Sequence, residues 1–230
     1  GIRVYCLSRG LGDGYTRQVH DRRPSAPELS GTQSRRETTV NLRGNATSQN
    51  AKTSKRNSFF FTGPDMLPAI IRNLERVERT INGWAYQVDH RDVIAEIVLR
   101  VARYGVVCRL ILDKDNFYSS SCSRQAAGVN ELFRAGCLIR IRKPPGGMYS
   151  CVHVKCLIFD ERVMTSGSLN LTHNGLQNNK EHLYLLSEPE LIEDVMADFE
   201  KEWVFAEEVG EKEISIMLAK DGSRKEERQN

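Results

Sequence analysis

The chain is predicted to be an α/β protein, built on a mixed, largely parallel β-sheet flanked by helices on both faces. Three observations lead there. Between residues 59 and 205, short apolar runs alternate with segments whose apolar residues recur at helical spacing. The run Val106 to Leu112 is apolar except at Arg109, as a strand buried on both sides requires. Two late runs separated by Asp160-Glu161 read as a hairpin, so the sheet cannot be wholly parallel. Strands that alternate with helices imply right-handed crossovers and a layered fold.

Residues 1–58 hold eleven Arg or Lys against four Asp or Glu, and their scattered apolar residues show no period. They are expected to form a disordered basic tail. A plain solvated tail and one drawn to an anionic membrane or to nucleic acid both fit that composition. Order is expected to begin at Phe59-Phe60-Phe61. Leu67, Ile70, Ile71, Leu74, Val77 and Ile81 then predict a helix over about 66–80, with Pro64 and Asp65 at its start. Ile81 to Val88 follows as a strand, and His90 to Tyr104 as a helix closed by Gly105. After the strand Val106 to Leu112 comes a polar loop, Asp113 to Cys122. A helix over 123–135, ended by Gly136, leads to a strand at Cys137 to Ile141.

Lys143-Pro-Pro-Gly-Gly147 can continue neither a helix nor a strand. The loop from Pro144 to Tyr149 is either a connector or the lip of a groove. Val152 to Phe159 and Arg162 to Ser166 form the hairpin, His182 to Leu186 is a further strand, and Glu190 to Phe205 is a long helix. The folded domain is thus expected at 59–205. Residues 206–230 should form a charged tail that frays.

Composition narrows the function. No apolar run approaches the roughly 20 residues that a membrane-spanning helix needs. The chain starts at Gly1 rather than methionine, so it is read as a fragment or a processed product, and the lack of a targeting or anchor segment within it carries no weight. The net charge of +3 is uneven, because 1–58 carry +7 and 206–230 carry −2, leaving −2 for 59–205. Phosphate contacts along a duplex demand basic surface, so this balance weighs against a duplex binder. Cys6, Cys108, Cys122, Cys137, Cys151 and Cys156 include no C-x-x-C pair. They are expected to be small buried thiols in a reducing compartment, with a disulfide or metal role as the alternative.

The informative segment runs from His153 to Asn170. Histidine, lysine, aspartate, glycine, serine and asparagine occur there as His153, Lys155, Asp160, Gly167, Ser168 and Asn170. Residues two apart on a strand share a face, so His153 and Lys155 should project together while Val152, Val154, Cys156 and Ile158 fill the other face. A lysine and an imidazole side by side in an apolar strand are costly without a partner, and a bound phosphate offsets that cost. Gly167 would let backbone approach an anion, and Ser168 and Asn170 would add a hydroxyl and an amide donor. His20, His90, His173 and His182 lack a lysine two residues on. Trp84 and Tyr86 read as core or pocket wall.

The pattern H-x-K-x₄-D-x₆-G-S-x-N resembles the HKD motif of the phospholipase D superfamily at every fixed position. Ile81-Asn-Gly-Trp-Ala-Tyr86 and Gly105 to Asp113 are similar to the lead-in of the same domain, so the likeness covers about 60–205. Single-motif members include bacterial endonucleases and the mitochondrial cardiolipin hydrolase group, and the lead-in looks most like the latter. The resemblance implies a phospholipase D-like fold with a single HKD half and a phosphoric diester hydrolase. It also implies that His153 is the nucleophile forming a phosphohistidine, with Lys155, Asn170 and Ser168 stabilising charge on the phosphate. By the same likeness, Glu181 orients the motif histidine. Asp160, at the hairpin turn, has a structural role.

No cofactor is implied. A leaving alkoxide needs a proton donor, and the chain holds only one such motif. A homodimer through the HKD face would supply the second histidine. The expected substrate is a cardiolipin-like phospholipid, and the alternative is single-stranded nucleic acid cut by a metal-independent endonuclease. A non-catalytic binding protein that keeps the fold and transfer to an alcohol are the further readings. Placement is expected inside the cell, with the mitochondrion suggested by resemblance alone. Neither the anchor nor the zinc insertion of the cardiolipin hydrolase pattern is found in this sequence.

Overall fold

The computed structural model describes residues 57–119 and 123–227 of the chain. The expectation of a disordered tail over 1–58 falls almost wholly outside them, as do Cys6 and Cys122. In chain order the elements are β1 (Ser58–Thr62), a short 3-10 turn (Gly63–Asp65), α1 (Met66–Leu74), β2 (Thr80–Ala85), α2 (Arg91–Tyr104) and β3 (Val107–Asp113). Then come α3 (Lys114–Phe117), α4 (Ser123–Arg134), β4 (Leu138–Arg142), β5 (Lys155–Phe159) and β6 (Val163–Gly167). The chain continues through α5 (His173–Gln177), β7 (His182–Leu186), α6 (Pro189–Phe205), β8 (Glu207–Glu208) and α7 (Glu211–Glu227).

The eight strands form one sheet in the order β1-β7-β6-β5-β2-β3-β4-β8. Only β2–β3 and β3–β4 are parallel. The other neighbours are antiparallel, so the sheet is mixed but mostly antiparallel, which corrects the expectation of a largely parallel one. The reason lies in the connections. Helical crossovers carry the chain from β2 to β3 through α2, and from β3 to β4 through α3 and α4. The loop after β4 crosses the end of the sheet instead and enters β5 from that same end, so β5 runs antiparallel to β2.

Helices do cover both faces. On one, α1, α2, α4 and α7 bury Ile70, Leu74, Ile97, Val129, Leu132, Ile214 and Met217 against Ile81, Leu110, Ile139 and Leu157. On the other, α6 packs Ile192, Met196 and Phe199 onto Trp84, Ile111, Ile158 and Met164. The Phe199 and Trp84 rings meet edge-on with centroids 5.0 Å apart. Arg109, the one break in the apolar β3 run, is explained by this second layer. Its Nε donates to Oδ1 of buried Asn82 at 2.8 Å, and its terminal nitrogens grip Glu200 of α6.

Several elements differ from their predicted bounds. α1 stops at Leu74, and Val77 and Ile81 still bury, one in a turn and one in a strand. Apolar recurrence marks burial here, not helix. The Asp113 to Cys122 loop contains α3, capped by the Asp113 carboxylate accepting from Asn116 N. Residues after Ala206, expected as a fraying tail, form β8 and α7. Val209, Ile214 and Met217 are buried there, which is what holds the segment down. Cys108, Cys137 and Cys156 are buried as expected, but Cys151 is exposed.

Candidate active site

The C-terminal end of β2, the N-terminal end of β5, the C-terminal end of β6 and the N-terminal end of β7 all meet at one edge of the sheet. Antiparallel pairing puts them there: Ala85 lies opposite Lys155, and Gly167 lies opposite Leu183. The motif residues are therefore collected by the sheet, not by proximity in sequence alone.

His153 is exposed and sits two residues before β5 begins. Its ring packs edge-on against Tyr86, with centroids 4.7 Å apart. Lys155, the first residue of β5, holds Nζ 4.9 Å from the centre of the same ring and donates to His153 O at 2.8 Å. The two side chains share one wall, as expected. Val154 does not fill an apolar face but is exposed, because β5 starts only at Lys155 and gives Val154 no ladder partner.

Burial pushes the Lys155 ammonium down to about 8, against the raising influence of Cys151 and Glu181. Burial also lowers His153, and the neighbouring Lys155 cation lowers it further, opposed by Asp113. Near neutral pH the arrangement is an uncharged, accessible imidazole beside a cation. That is the state required of a nitrogen nucleophile with an anion-binding neighbour.

Ser168 follows the end of β6. Its hydroxyl donates to the Glu181 carboxylate in a very short contact and accepts from His182 N at 3.2 Å. Glu181 also accepts from Asn179 Nδ2 at 3.2 Å. Within one chain the carboxylate is thus bonded to Ser168 and Asn179, and none of its described hydrogen bonds goes to His153. The physical reason is position: Glu181 precedes β7, and β6, which ends beside Ser168, stands between β7 and β5.

Asn170 is partly buried, and its Oδ1 has no hydrogen-bond partner. A buried amide oxygen left without a donor is a cost that only an incoming hydrogen-bond donor can relieve, and it is the Nδ2 amide of the same side chain that can donate to an anion. Gly167 is also required by the sheet itself. Its φ is +149°, and a Cβ there would collide with His182 O across the ladder. Close approach of β7 already demands glycine, without any anion.

Asp160 stands at the far end of the hairpin, where Asp160 and Glu161 have φ of 51° and 57°. Its carboxylate accepts from Glu78 N at 2.9 Å, Arg79 N at 2.8 Å and Thr80 N at 2.9 Å. Burial pushes this carboxyl up, but the three backbone donors together outweigh it and hold the group below the ordinary carboxylate range. Asp160 ties the hairpin to the start of β2 and does not reach the His153 end.

Two residues near the site carried no role in the sequence reading. Asp113 is buried, and its Oδ2 accepts from Val152 N at 2.8 Å, fixing the backbone next to His153. A lone aspartate closing an apolar strand was the available signal. Tyr86 was visible only as pocket wall; its contact with both His153 and Lys155 depends on the β2–β5 register.

The profile of a family described as "Cardiolipin synthase, PLD-like domain" matches residues 70–203, more than half of the chain. The chain is 29% identical over 140 residues to a mitochondrial cardiolipin hydrolase of Chlamydomonas reinhardtii, covering 61% of this chain and 58% of that one. It is 27% identical over 140 residues to a phospholipase D of Rickettsia conorii, covering 60% and 65%. The chain therefore spans less than two thirds of the length of these relatives. Nuc from Salmonella typhimurium, a phospholipase D family member, superposes with a TM-score of 0.57 at 18% identity, covering 66% of this chain and 98% of that one, a likeness of fold. Motif geometry, sheet order and the match over residues 70–203 agree: the chain belongs to the phospholipase D-like domain family.

Proposed function

We propose that this chain is a phosphodiesterase that hydrolyses a cardiolipin-like phospholipid through a phosphohistidine on His153. The observation that carries this reading is the exposed His153 imidazole, lowered in basicity and sharing the Tyr86 ring with the Lys155 cation. A ring nitrogen of His153 attacks phosphorus, and the bond to the leaving alkoxide breaks. Lys155 and Asn170 stabilise the charge that builds on the non-bridging oxygens. Ser168, held by Glu181, assists there as a further polar group at the same end of the sheet.

The leaving oxygen takes a proton from a second histidine. No other histidine of this chain is followed by a lysine two residues on. A twofold homodimer supplies the mate's His153 in the same site. Once the alcohol departs, the mate's imidazole, now neutral, takes a proton from water, the hydroxide oxygen bonds to phosphorus, and the bond to His153 breaks. The scheme uses no metal, and activity is expected to persist with chelator.

A lipid substrate is supported by the cardiolipin hydrolase relatives and by the balance of −2 over 59–205. The test is to offer cardiolipin vesicles and single-stranded nucleic acid in parallel, with chelator present. Faster cleavage of the lipid is expected. Preferential cleavage of the nucleic acid would move the same chemistry to an endonuclease. The shared site is tested by isolating dimers of one native and one His153→Ala chain. They should be badly impaired, and substantial activity would refute the two-histidine scheme.

A further inference from the structure

The segment between β4 and His153 is built, not slack. Lys143 Nζ donates to Met148 O at 3.2 Å and to Asp115 Oδ2 at 2.5 Å. Ser150 Oγ lies 2.6 Å from Pro144 O and 2.9 Å from Gly147 O. Gly146 and Gly147, at φ of 153° and 92°, make the turn that only glycine adopts readily. This closed loop holds up Met148 and Tyr149 with 76% and 78% of their surface in water. Exposed apolar side chains on a tied loop mark a contact surface more than a solvated connector.

The end of α6 extends the same rim. Val204 and Phe205 are exposed, and β8 follows at once to pair with Arg140 and Ile141 of β4. The Arg142 guanidinium lies 5.5 Å from the Phe205 ring centre and donates to Lys143 O at 3.4 Å, joining the helix end to the base of the loop. Methionine, tyrosine and phenylalanine backed by Arg142 and Lys143 are the composition of a protein surface that sits at a lipid headgroup boundary. Both cations already have carboxylate partners, Glu202 and Asp115, so apolar contact must supply most of the attraction.

We propose that this rim, with Met148 and Tyr149 at its tip and Phe205 beside it, docks the domain on a phospholipid bilayer. The inference rests on the phospholipid reading above. A bilayer lipid keeps its phosphate at the membrane surface, and Tyr149 precedes His153 by four residues at the same end of the sheet. An approach that brings His153 to such a phosphate brings the rim to the bilayer as well.

The experiment compares the full native chain with Met148→Ser/Tyr149→Ser and, separately, with Phe205→Ser. Sedimentation with vesicles of phosphatidylcholine and cardiolipin reads binding, at an ionic strength raised to screen basic residues elsewhere. Turnover is read on the same vesicles and on a water-soluble phosphodiester, bis(p-nitrophenyl) phosphate. The double variant should sediment with vesicles at least about tenfold less well, because two apolar contacts are lost. Its vesicle turnover should fall in step, while the soluble diester is cleaved as before; Phe205→Ser should show a smaller loss of the same kind. Native-like vesicle binding by the double variant overturns the proposal, as does a native chain that binds no vesicles. An equal loss on the soluble diester, or a change of oligomeric state in the double variant, would assign the loop to the site or to a subunit contact instead. If vesicles are bound through the rim but only nucleic acid is cleaved, the substrate reading fails while the docking surface stands.

Discussion

The β5–β6 hairpin carries the motif at both ends, and the two ends are built on opposite terms. At the turn, Asp160 has three backbone donors on one carboxylate and nothing left to offer. At the open end, Lys155 has one backbone carbonyl and the face of Tyr86, while His153 has a ring contact and solvent. Both ends hold a charged or ionisable residue, yet only one has its partners supplied by the fold. A polar group whose hydrogen bonds the protein completes belongs to stability. One that the protein leaves incomplete is available for chemistry.

The largest test of that contrast is on activity. His153→Ala should lower turnover by at least about 10²–10⁴-fold. Because the side chain is exposed, the free energy of unfolding should stay within about 0.5 kcal/mol of native in a denaturant titration. A large loss of stability would mean that the open end is structural after all. The mirror experiment is Asp160→Ala, which strands three backbone N–H groups. It should cost about 1–3 kcal/mol of stability while leaving turnover per folded molecule near native.

Protonation sharpens the contrast further. Lys155 has a folded value of about 8, below its ordinary 10.5, so the folded chain sheds that proton first. The cost of burying the charge is fully present below pH 8 and disappears as pH rises towards 10.5. Stability should therefore gain a rising component in that window, absent in Lys155→Met. Turnover should move the other way, with a further fall as pH passes about 8 and Lys155 loses the charge proposed to stabilise phosphate. Lys155→Arg, which keeps its charge, should carry that alkaline limb to higher pH. The two-histidine scheme needs one His153 neutral and its mate protonated, so turnover should be greatest near the imidazole's own value, which burial and Lys155 both lower below 6.5.

The smallest effect is expected at Asp160 in acid. Its carboxyl is held below its ordinary value, so the stability it supplies is complete above about pH 4 and fades as pH falls through the folded value. Asp160→Asn should remove that acid-dependent component. An unchanged acid profile would show that the three backbone bonds do not favour the charged form.

Much of the architecture was legible in the chain. The helix at His90 to Tyr104 ends where Gly105 takes φ of 70°, and the hairpin turns at Asp160-Glu161. The parallel character was overread, because apolar runs reveal burial on two faces but not strand direction. Direction depends on whether a connection crosses over the sheet or across its end, and the Lys143 to Ser150 loop gives no periodic signal of either. The last helix was missed for a related reason: Ile214 and Met217 are few, and only the surface they land on makes them core. Spacing along the chain singled out the motif residues, but the bonding of Glu181 to Ser168 was hidden, since it is set by β6 pairing with β7.

Which residue types bear the chemistry, and their separation along the strand, is a property of the covalent chain, because side-chain direction alternates with backbone geometry whatever the surroundings. Which of them ends up with partners is not. That depends on ladders between distant strands, which set Tyr86 against His153 and Lys155, press Gly167 against His182, and give Asp160 the amides of Glu78, Arg79 and Thr80. Local geometry supplies the groups, and long-range pairing decides which are satisfied and which remain open.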